Sequence, residues 1–381
     1  MNQSEIITCD VTNLVNAFHK SVKANPSKAE NKRFKLHQLS EIQRAQDELH
    51  SRTWNISLKK PFVINERGHK RRVEGNTPYD RMIIHSWVDN ILIPSIEPYL
   101  SRDNYSSRKG MGTSDARSRF EYFIHSAYRK YGHNRFYILF VDFSKYYDNI
   151  RHDRLKELIF QYVHDDEFNR YMVDNILNSF AVDVSWMNDD EYESCLDKCY
   201  NSLLHLNDKC SGDLFMNKSL KMGNPASQIF SILFPIKIDN YAKIKRGCAS
   251  SGRYVDDSSY ISDNIDYLYS ILSGIGDIAT EYGIFINEKK THICRADKPF
   301  TFLNRIYQMT ESGHLKVKLS NPTLHRESRK LRKFKTMLDN GNISKIKIKN
   351  QFDSWMGSNA KYISKSQRIL IKELYFDLFE K

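Results

Sequence analysis

A chain of 381 residues with 40% hydrophobic and 27% charged residues has the composition of a soluble globular protein, long enough for one large unit or two to three lobes. No apolar run approaches the length of a membrane span, and the start Met1-Asn2-Gln3-Ser4-Glu5 lacks the regions of a signal peptide, so a cytoplasmic protein without a membrane partner is expected. A net charge of +12 with 12% aromatics suits a surface that neutralises phosphates and stacks bases, the plainer account being charge kept for solubility.

Taken in order, residues 1–55 read as a helical extension. Val11, Leu14, Val15 and Phe18 recur at helical spacing, and residues 28–33 form a charged linker. Residues 62–73 read as a hairpin turning near Gly68, whose second strand opens on a basic run that includes Lys70 and Arg72. Pro78 then opens a helix with apolar surface from Trp87, Val88, Ile91, Leu92 and Ile93, and Asp80-Arg81 near its start would suit a salt bridge there. The stretch Tyr105-Ser106-Ser107-Arg108-Lys109-Gly110-Met111-Gly112-Thr113 is basic and glycine-rich and leads into a helix through about residue 131. Glycine lets backbone approach a nucleic acid, whereas a plain helix N-terminus is the alternative.

Residues 136–141 are continuously apolar or aromatic and read as a buried central strand that ends in Asp142. A helix is expected from about Arg151, with Asp148 and Asn149 placed to cap it. Farther on, residues 175–184 read as the close of a helix, Asp189-Asp190-Glu191 with Glu193 as a solvated acidic loop, and 212–217 as a hairpin. Gly223 and Asn224 open a helix that Pro235 ends or kinks. Six cysteines show no paired framework and read as reduced thiols. Cys195, Cys199, His205 and Cys210 cluster in sequence, but at a spacing that fits no familiar zinc knuckle, so ordinary thiols are the better account.

Gly252-Arg253-Tyr254-Val255-Asp256-Asp257-Ser258-Ser259-Tyr260-Ile261 reads as a tight hairpin with two aspartates at its tip. Carboxylates this close raise each other's pKa unless a cation neutralises them, and Mg²⁺ suits hard oxygen ligands. An isolated Asp-Asp pair is usually a surface turn. Asp142 at a strand end changes that balance, because one strand-end acid plus a hairpin-tip pair could hold two Mg²⁺ ions that clamp attacking and leaving oxygens in phosphoryl transfer.

These motifs resemble those of the reverse transcriptases. Phe140-Val141-Asp142-Phe143-Ser144-Lys145-Tyr146-Tyr147 is similar to their first palm motif, Lys221-Met222-Gly223-Asn224-Pro225-Ala226-Ser227-Gln228 to the second, and Tyr254-Val255-Asp256-Asp257 to their Tyr-x-Asp-Asp signature. With flanking motifs the resemblance covers about residues 55–365. It implies an α+β right-hand polymerase with an antiparallel palm sheet: an extension (1–55), fingers (56–135), palm (136–310) and a basic helical thumb (311–381). It implies catalytic Asp142, Asp256 and Asp257, which with the backbone carbonyl of Phe143 would hold two Mg²⁺, or Mn²⁺ in their place.

The same resemblance puts Lys70 and Arg72 on the incoming triphosphate, and makes Tyr147 the aromatic gate that blocks a 2′-hydroxyl. Met222 stands where many relatives carry glutamine, beside Gly223, and Gln228 belongs to a Gly-Asn-x-x-Ser-Gln pattern similar to diversity-generating retroelement enzymes and to relatives used in phage defence. Arg81 sits in an Asp-Arg pair resembling the bacterial fingers, and Arg108 and Lys109 in an element similar to a Tyr-x-x-Arg-x-x-x-Gly-Thr template contact. Residues 265–282 read as a helix and 283–291 as a strand and basic turn. Arg305 lies in Phe302-Leu303-Asn304-Arg305-Ile306-Tyr307, which resembles the primer-grip strand but has Asn304 where glycine is usual. Arg329, Arg332 and Lys333 belong to a basic helical segment over 325–340 suited to duplex phosphates, a basic partner helix being the alternative. The expectation is an RNA-directed DNA polymerase of bacterial antiphage defence, using dNTPs and a template or noncoding RNA, making DNA, with an accessory protein or a homo-oligomer as further partners. Diversity generation and template-independent or protein-primed synthesis are the alternatives.

Overall fold

The computed structural model describes residues 2–23, 25–57, 62–66, 69–202 and 211–380. The chain divides into two compact units: Met1–Gly112, Phe140–Tyr260 and Asp266–His292 make the first, and Thr113–Leu139, Ile261–Ile265 and Ile293–Lys381 the second. No helix of the described residues is long and apolar enough to cross a membrane.

In the first unit, the amphipathic helix Val11–Lys23 buries Leu14, Ala17, Phe18 and Val22, and packs against Pro78–Trp87. The expected linker at 28–33 is instead part of a helix, Ala29–Leu36. Its Asn31 and Phe34, three residues apart, turn inward, and Phe34 stacks on Phe18 at 4.6 Å, leaving the charges on the wet side. Strands Phe62–Glu66 and His69–Val73 pair antiparallel as expected, and the turn near Gly68 lies outside the described residues. Helix Pro78–Trp87 starts on Thr77, whose side chain accepts from the Asp80 N–H, with Pro at the first turn. Asp80 faces Trp54 Nε1 and Thr77 Oγ1 (3.2 and 2.6 Å), so its carboxylate is spent inside the core rather than on Arg81.

Two further expectations do not hold, and a third, the helix end, holds only as far as Asn178. Helix His152–Ile159 begins without a side-chain cap. Asp148 accepts instead from Ser202 Oγ (2.9 Å) and Asn149 from the Tyr200 N–H (2.8 Å), tying down the segment 199–202. The helix expected to close over 175–184 is Glu167–Asn178, after which Val182–Asp183 pairs with Phe215–Met216. The acidic 189–193 stretch is no loop but the start of helix Asp189–Asp197, capped reciprocally by Asn188 and Glu191, with three acids in the first turn where the helix dipole favours them. Of the four residues weighed for zinc, His205 and Cys210 lie outside the described residues.

In the second unit, helix Thr113–Tyr131 buries Phe120, whose ring meets Phe302 at 4.2 Å and Tyr307 at 5.6 Å. Strands Phe300–Phe302, Arg305–Met309 and Leu315–Leu319 form an antiparallel sheet. Leu303 and Asn304 turn the first pair at φ +44° and +66°, and asparagine tolerates this left-handed region well enough to stand in for glycine. Helices Asn321–Asp339, Lys345–Asn359 and Lys365–Phe379 follow, around a core of Leu331, Ile348, Phe352, Ile371 and Tyr375.

A four-stranded sheet carries the acids, in the order Ser251–Tyr254, Asp257–Ser262, Tyr137–Val141, His292–Arg295. The first two strands are the expected hairpin, with Tyr254 opposite Asp257 and a two-residue loop, Val255-Asp256, between them.

Candidate active site

Asp142 leaves the end of its strand almost wholly buried, at 6% exposure. Residues 283–291, expected as a strand and basic turn, make only an isolated bridge, Ile286 to Phe143 beside Asp142, before turning over residues 287–291. That turn wraps the acid. The Asn287 N–H donates to the Asp142 carbonyl (2.8 Å), Asn287 Nδ2 to Oδ1 (3.0 Å) and Lys290 Nζ to Oδ2 (2.9 Å).

Asp256 and Asp257 stand at the neighbouring hairpin tip, close enough to Asp142 to act on one another electrically. Asp256 is raised above the usual carboxylate range by loss of hydration and then by the Asp142 charge. Asp257 is pushed up to about 7, first by loss of hydration among crowding protein atoms, then by the charges of Asp256 and Asp142. Asp257 still reaches solvent, so water tempers this rise. Lys290 answers the cluster: partial desolvation works against its charge, but Asp142, Asp257 and Asp256 together raise its pKa.

A cavity of about 340 Å³ opens beside Asp256, bordered by Phe143 and Tyr147 and by cationic Lys70, Arg71, Arg72, Lys221 and Lys290. Lys70 is exposed at its rim. Arg72 is half-committed already, with Nη2 2.5 Å from Glu74 Oε1, while Lys221 grips the other Glu74 oxygen. Val73 bridges Met222, bringing the second palm motif against the basic strand, and Arg71 Nη1 lies 3.8 Å from the Met222 sulfur. Gly223 is required here, since φ is +106° and a Cβ would come 3.2 Å from the Glu74 carbonyl. Tyr147 Oη donates to Ser231 Oγ (3.1 Å), and Ser231 in turn to the carbonyl of Gln228, whose own side chain is exposed. Burial raises the Tyr147 pKa, so its phenol is neutral near pH 7.

Not every sequence-selected residue gathers at this cavity. Arg81 spends its guanidinium on the carbonyls of Ser21 (2.6 Å) and Asn76 (2.9 Å). Arg108 braces Glu97 and the carbonyls of Ser101 and Asn104, with its side chain 7% exposed, while neighbouring Lys109 is exposed. Within the second unit, Arg305 is buried over the Tyr362 ring at 3.6 Å, whereas Arg329, Arg332 and Lys333 are exposed along one helix. The sequence reading missed Arg71, Lys221, Asn287 and Lys290. Each lay in a stretch the sequence did mark: Arg71 in the basic run with Lys70 and Arg72, Lys221 in the second palm motif, and Asn287 and Lys290 in the basic turn Asn287-Glu288-Lys289-Lys290-Thr291.

Among the described residues no set of three or more His, Cys, Asp or Glu side chains stands as a ready metal cage. The donors nevertheless suit a hard cation: all are oxygens, and three carboxylates gather closely enough that Asp142 and Asp256 add to the burial that raises Asp257.

Residues 64–306 match the family described as reverse transcriptase (RNA-dependent DNA polymerase). The chain belongs to that family, and its fold is the right-hand polymerase of mixed helices and antiparallel sheets. A comparison with curated proteins gives no match. Among solved structures it is similar to apo telomerase from Candida tropicalis truncated from its C-terminal domain, at 15% identity over 74% of this chain and 60% of that one, with a TM-score of 0.45. It is also similar to telomerase from Candida albicans in complex with a fragment of telomeric RNA, at 13% identity, 92% and 64% coverage and a TM-score of 0.45. Likeness this distant carries no weight for function, and the chain spans only 60% of the first of these proteins and 64% of the second.

Proposed function

We propose that this protein is an RNA-directed DNA polymerase that adds deoxynucleotides to a growing strand. The observation that carries the reading is the convergence of Asp142, Asp256 and Asp257 beside a cavity lined with cations, in a chain of the reverse transcriptase family. Asp142, Asp256 and Asp257, with the Phe143 carbonyl, would hold two Mg²⁺ or Mn²⁺ ions. Such ions, when bound, supply Lewis acidity that eases deprotonation of the attacking hydroxyl and neutralises charge on the phosphates.

The protein's own side chains do the rest. Arg71 and Lys70 face the cavity and draw the triphosphate in, while Arg72 and Lys221 share Glu74 and so fix the cavity wall. Tyr147, pinned by Ser231 and neutral, presents a ring edge where a 2′-hydroxyl would clash, which selects deoxynucleotides. Met222 and Gly223 shape the floor by packing rather than by hydrogen bonds, and exposed Gln228 contacts the nucleotide. Lys109, Arg329, Arg332 and Lys333 offer exposed charge to template and product phosphates. We assign fingers, palm and thumb to 56–135, 136–310 and 311–381, behind a helical extension.

Within this reading we place the chain in bacterial antiphage defence with a noncoding RNA. Support comes from Met222 in place of glutamine, from Asn304 in place of glycine, and from the long 185–220 segment. The test is to purify the protein with the RNA it carries, supply labelled dNTPs singly and together with Mg²⁺, and sequence the product. A product complementary to the bound RNA is expected. A homopolymer would move the protein to template-independent synthesis, and no product from any mixture would refute the polymerase reading.

A further inference from the structure

Val255 occupies the first position of the catalytic hairpin's two-residue turn at φ +59°. A β-branched residue rarely adopts this left-handed region and stays there only when its surroundings over-determine the backbone. The next residue is Asp256. Whatever pins the Val255 peptide therefore also fixes where the two tip carboxylates point.

The pin is Arg253. Its side chain is 1% exposed, and Nη1 donates to the Val255 carbonyl at 2.8 Å. The rest of the guanidinium is anchored: Nε and Nη2 take both oxygens of Asp239 at 2.9 and 2.6 Å, and Nη2 also donates to the Ile232 carbonyl at 2.9 Å. Asp239 belongs to helix Ile236–Asn240 and Ile232 to helix Pro225–Leu233, so the fork is referenced to two helices behind the hairpin. The Arg253 backbone is held as well, its N–H donating to the Asp103 carbonyl (2.8 Å) and its carbonyl accepting from the Tyr105 N–H (3.0 Å). Tyr105 reaches that position because residue 252 is glycine, where a Cβ would lie 2.6 Å from the Tyr105 hydroxyl.

We propose that Arg253 is a positioning residue for the candidate catalytic acids: fixed by Asp239, it clamps the strained Val255 carbonyl and so holds Asp256 and Asp257 where they share a cation with Asp142. The inference rests on reading those three aspartates as cation-holding acids, and it identifies what keeps two of them in place. Only a planar guanidinium spans the three acceptors at once, because a lysine ammonium gathers its donors on one nitrogen. An arginine kept solely to satisfy a buried aspartate would have no need of a third arm on the turn.

The test uses the full chain and Mn²⁺ binding followed by electron paramagnetic resonance, with deoxynucleotide incorporation and thermal melting in parallel. Arg253→Lys should weaken Mn²⁺ binding by about tenfold or more, the size seen when groups orienting metal ligands are removed. Adding Val255→Gly to it should recover most of the affinity and incorporation, because glycine holds a positive φ without a clamp. If the lysine variant does not fold, Asp239→Asn, which keeps the oxygen and loosens the fork, carries the same test. Wild-type binding by Arg253→Lys, or no recovery by the double variant, would overturn the proposal. By contrast, a wild-type protein whose Mn²⁺ binding is untouched by Asp256→Asn would overturn the reading of the acids, and the positioning role with it.

Discussion

Lys290 Nζ stands 2.9 Å from Asp142 Oδ2, and Asn287 holds the other carboxylate oxygen at 3.0 Å. An internal cation thus occupies one face of the acid on which the proposed chemistry depends. Because the Lys290 side chain is 65% exposed, the pair is worth only about 0.5–1 kcal/mol. Lys290→Met should lower the metal-free melting temperature by a degree or two and tighten Mn²⁺ binding roughly two- to fivefold, since a competing charge is gone. Weaker Mn²⁺ binding would mean that Lys290 orients Asp142 rather than competing at it.

The raised Asp256 and Asp257 make metal-free stability depend on pH. A carboxyl whose folded pKa exceeds its unfolded value binds more protons when folded, so its contribution is intact below about pH 4 and is lost as pH rises through the folded value, about 7 for Asp257. In a chelator, melting temperature should fall between pH 5 and pH 8. Asp257→Asn should flatten that fall and Mg²⁺ should reverse it at pH 8, as followed by calorimetry. A stability that rises steadily across this window would contradict the charge cluster.

Buried His152 works in the opposite direction. Burial lowers its pKa to about 4, against a weaker opposing hydrogen bond with the Ser219 carbonyl at 2.7 Å. The unfolded chain binds its proton first, so stability should be lost as pH falls from about 6.5 toward 4. His152→Gln should remove part of that acid sensitivity in the same melts.

The sugar filter proposed for Tyr147 is testable through its ring and its bond to Ser231. Tyr147→Ala should cut discrimination against ribonucleotides by about a hundredfold, the loss of roughly 3 kcal/mol of steric exclusion. Tyr147→Phe, which forfeits only the hydroxyl bonded to Ser231, should keep most of it. Primer extension with paired ribo- and deoxynucleotides reads both.

Arg71 and Arg72 should separate by their partners. With its neighbour Glu74 engaged, Arg72→Ala should cost stability as well as binding, by leaving Glu74 to Lys221 alone. Arg71→Ala should raise the dNTP KM about tenfold, an effect on ground-state binding seen in steady-state kinetics.

The sequence made the acids legible because each sits at a boundary that pattern reveals: Asp142 where an apolar strand ends, Asp256 and Asp257 between two β-prone runs. The helices 113–131 and 265–282 were equally plain, as long periodic segments. What stayed hidden depends on contacts between distant residues. Nothing near Arg81 in sequence announces that Ser21, 60 residues earlier, will absorb its guanidinium, nor near Arg108 that Glu97 will. Nor does the pairing of Arg253 with Asp239 leave a local trace. The acidic 189–193 run misled because charge density suggests a loop, while its position at a helix N-terminus makes the same charge stabilising.

The most direct test of the central claim is Asp256→Asn in a primer-extension assay with bound RNA, dNTPs and Mg²⁺, beside a measurement of RNA affinity. DNA synthesis should disappear while RNA binding stays within about twofold of wild type, since the exposed cations proposed for RNA phosphates, Lys109, Arg329, Arg332 and Lys333, are unchanged. Normal synthesis by that variant would contradict it.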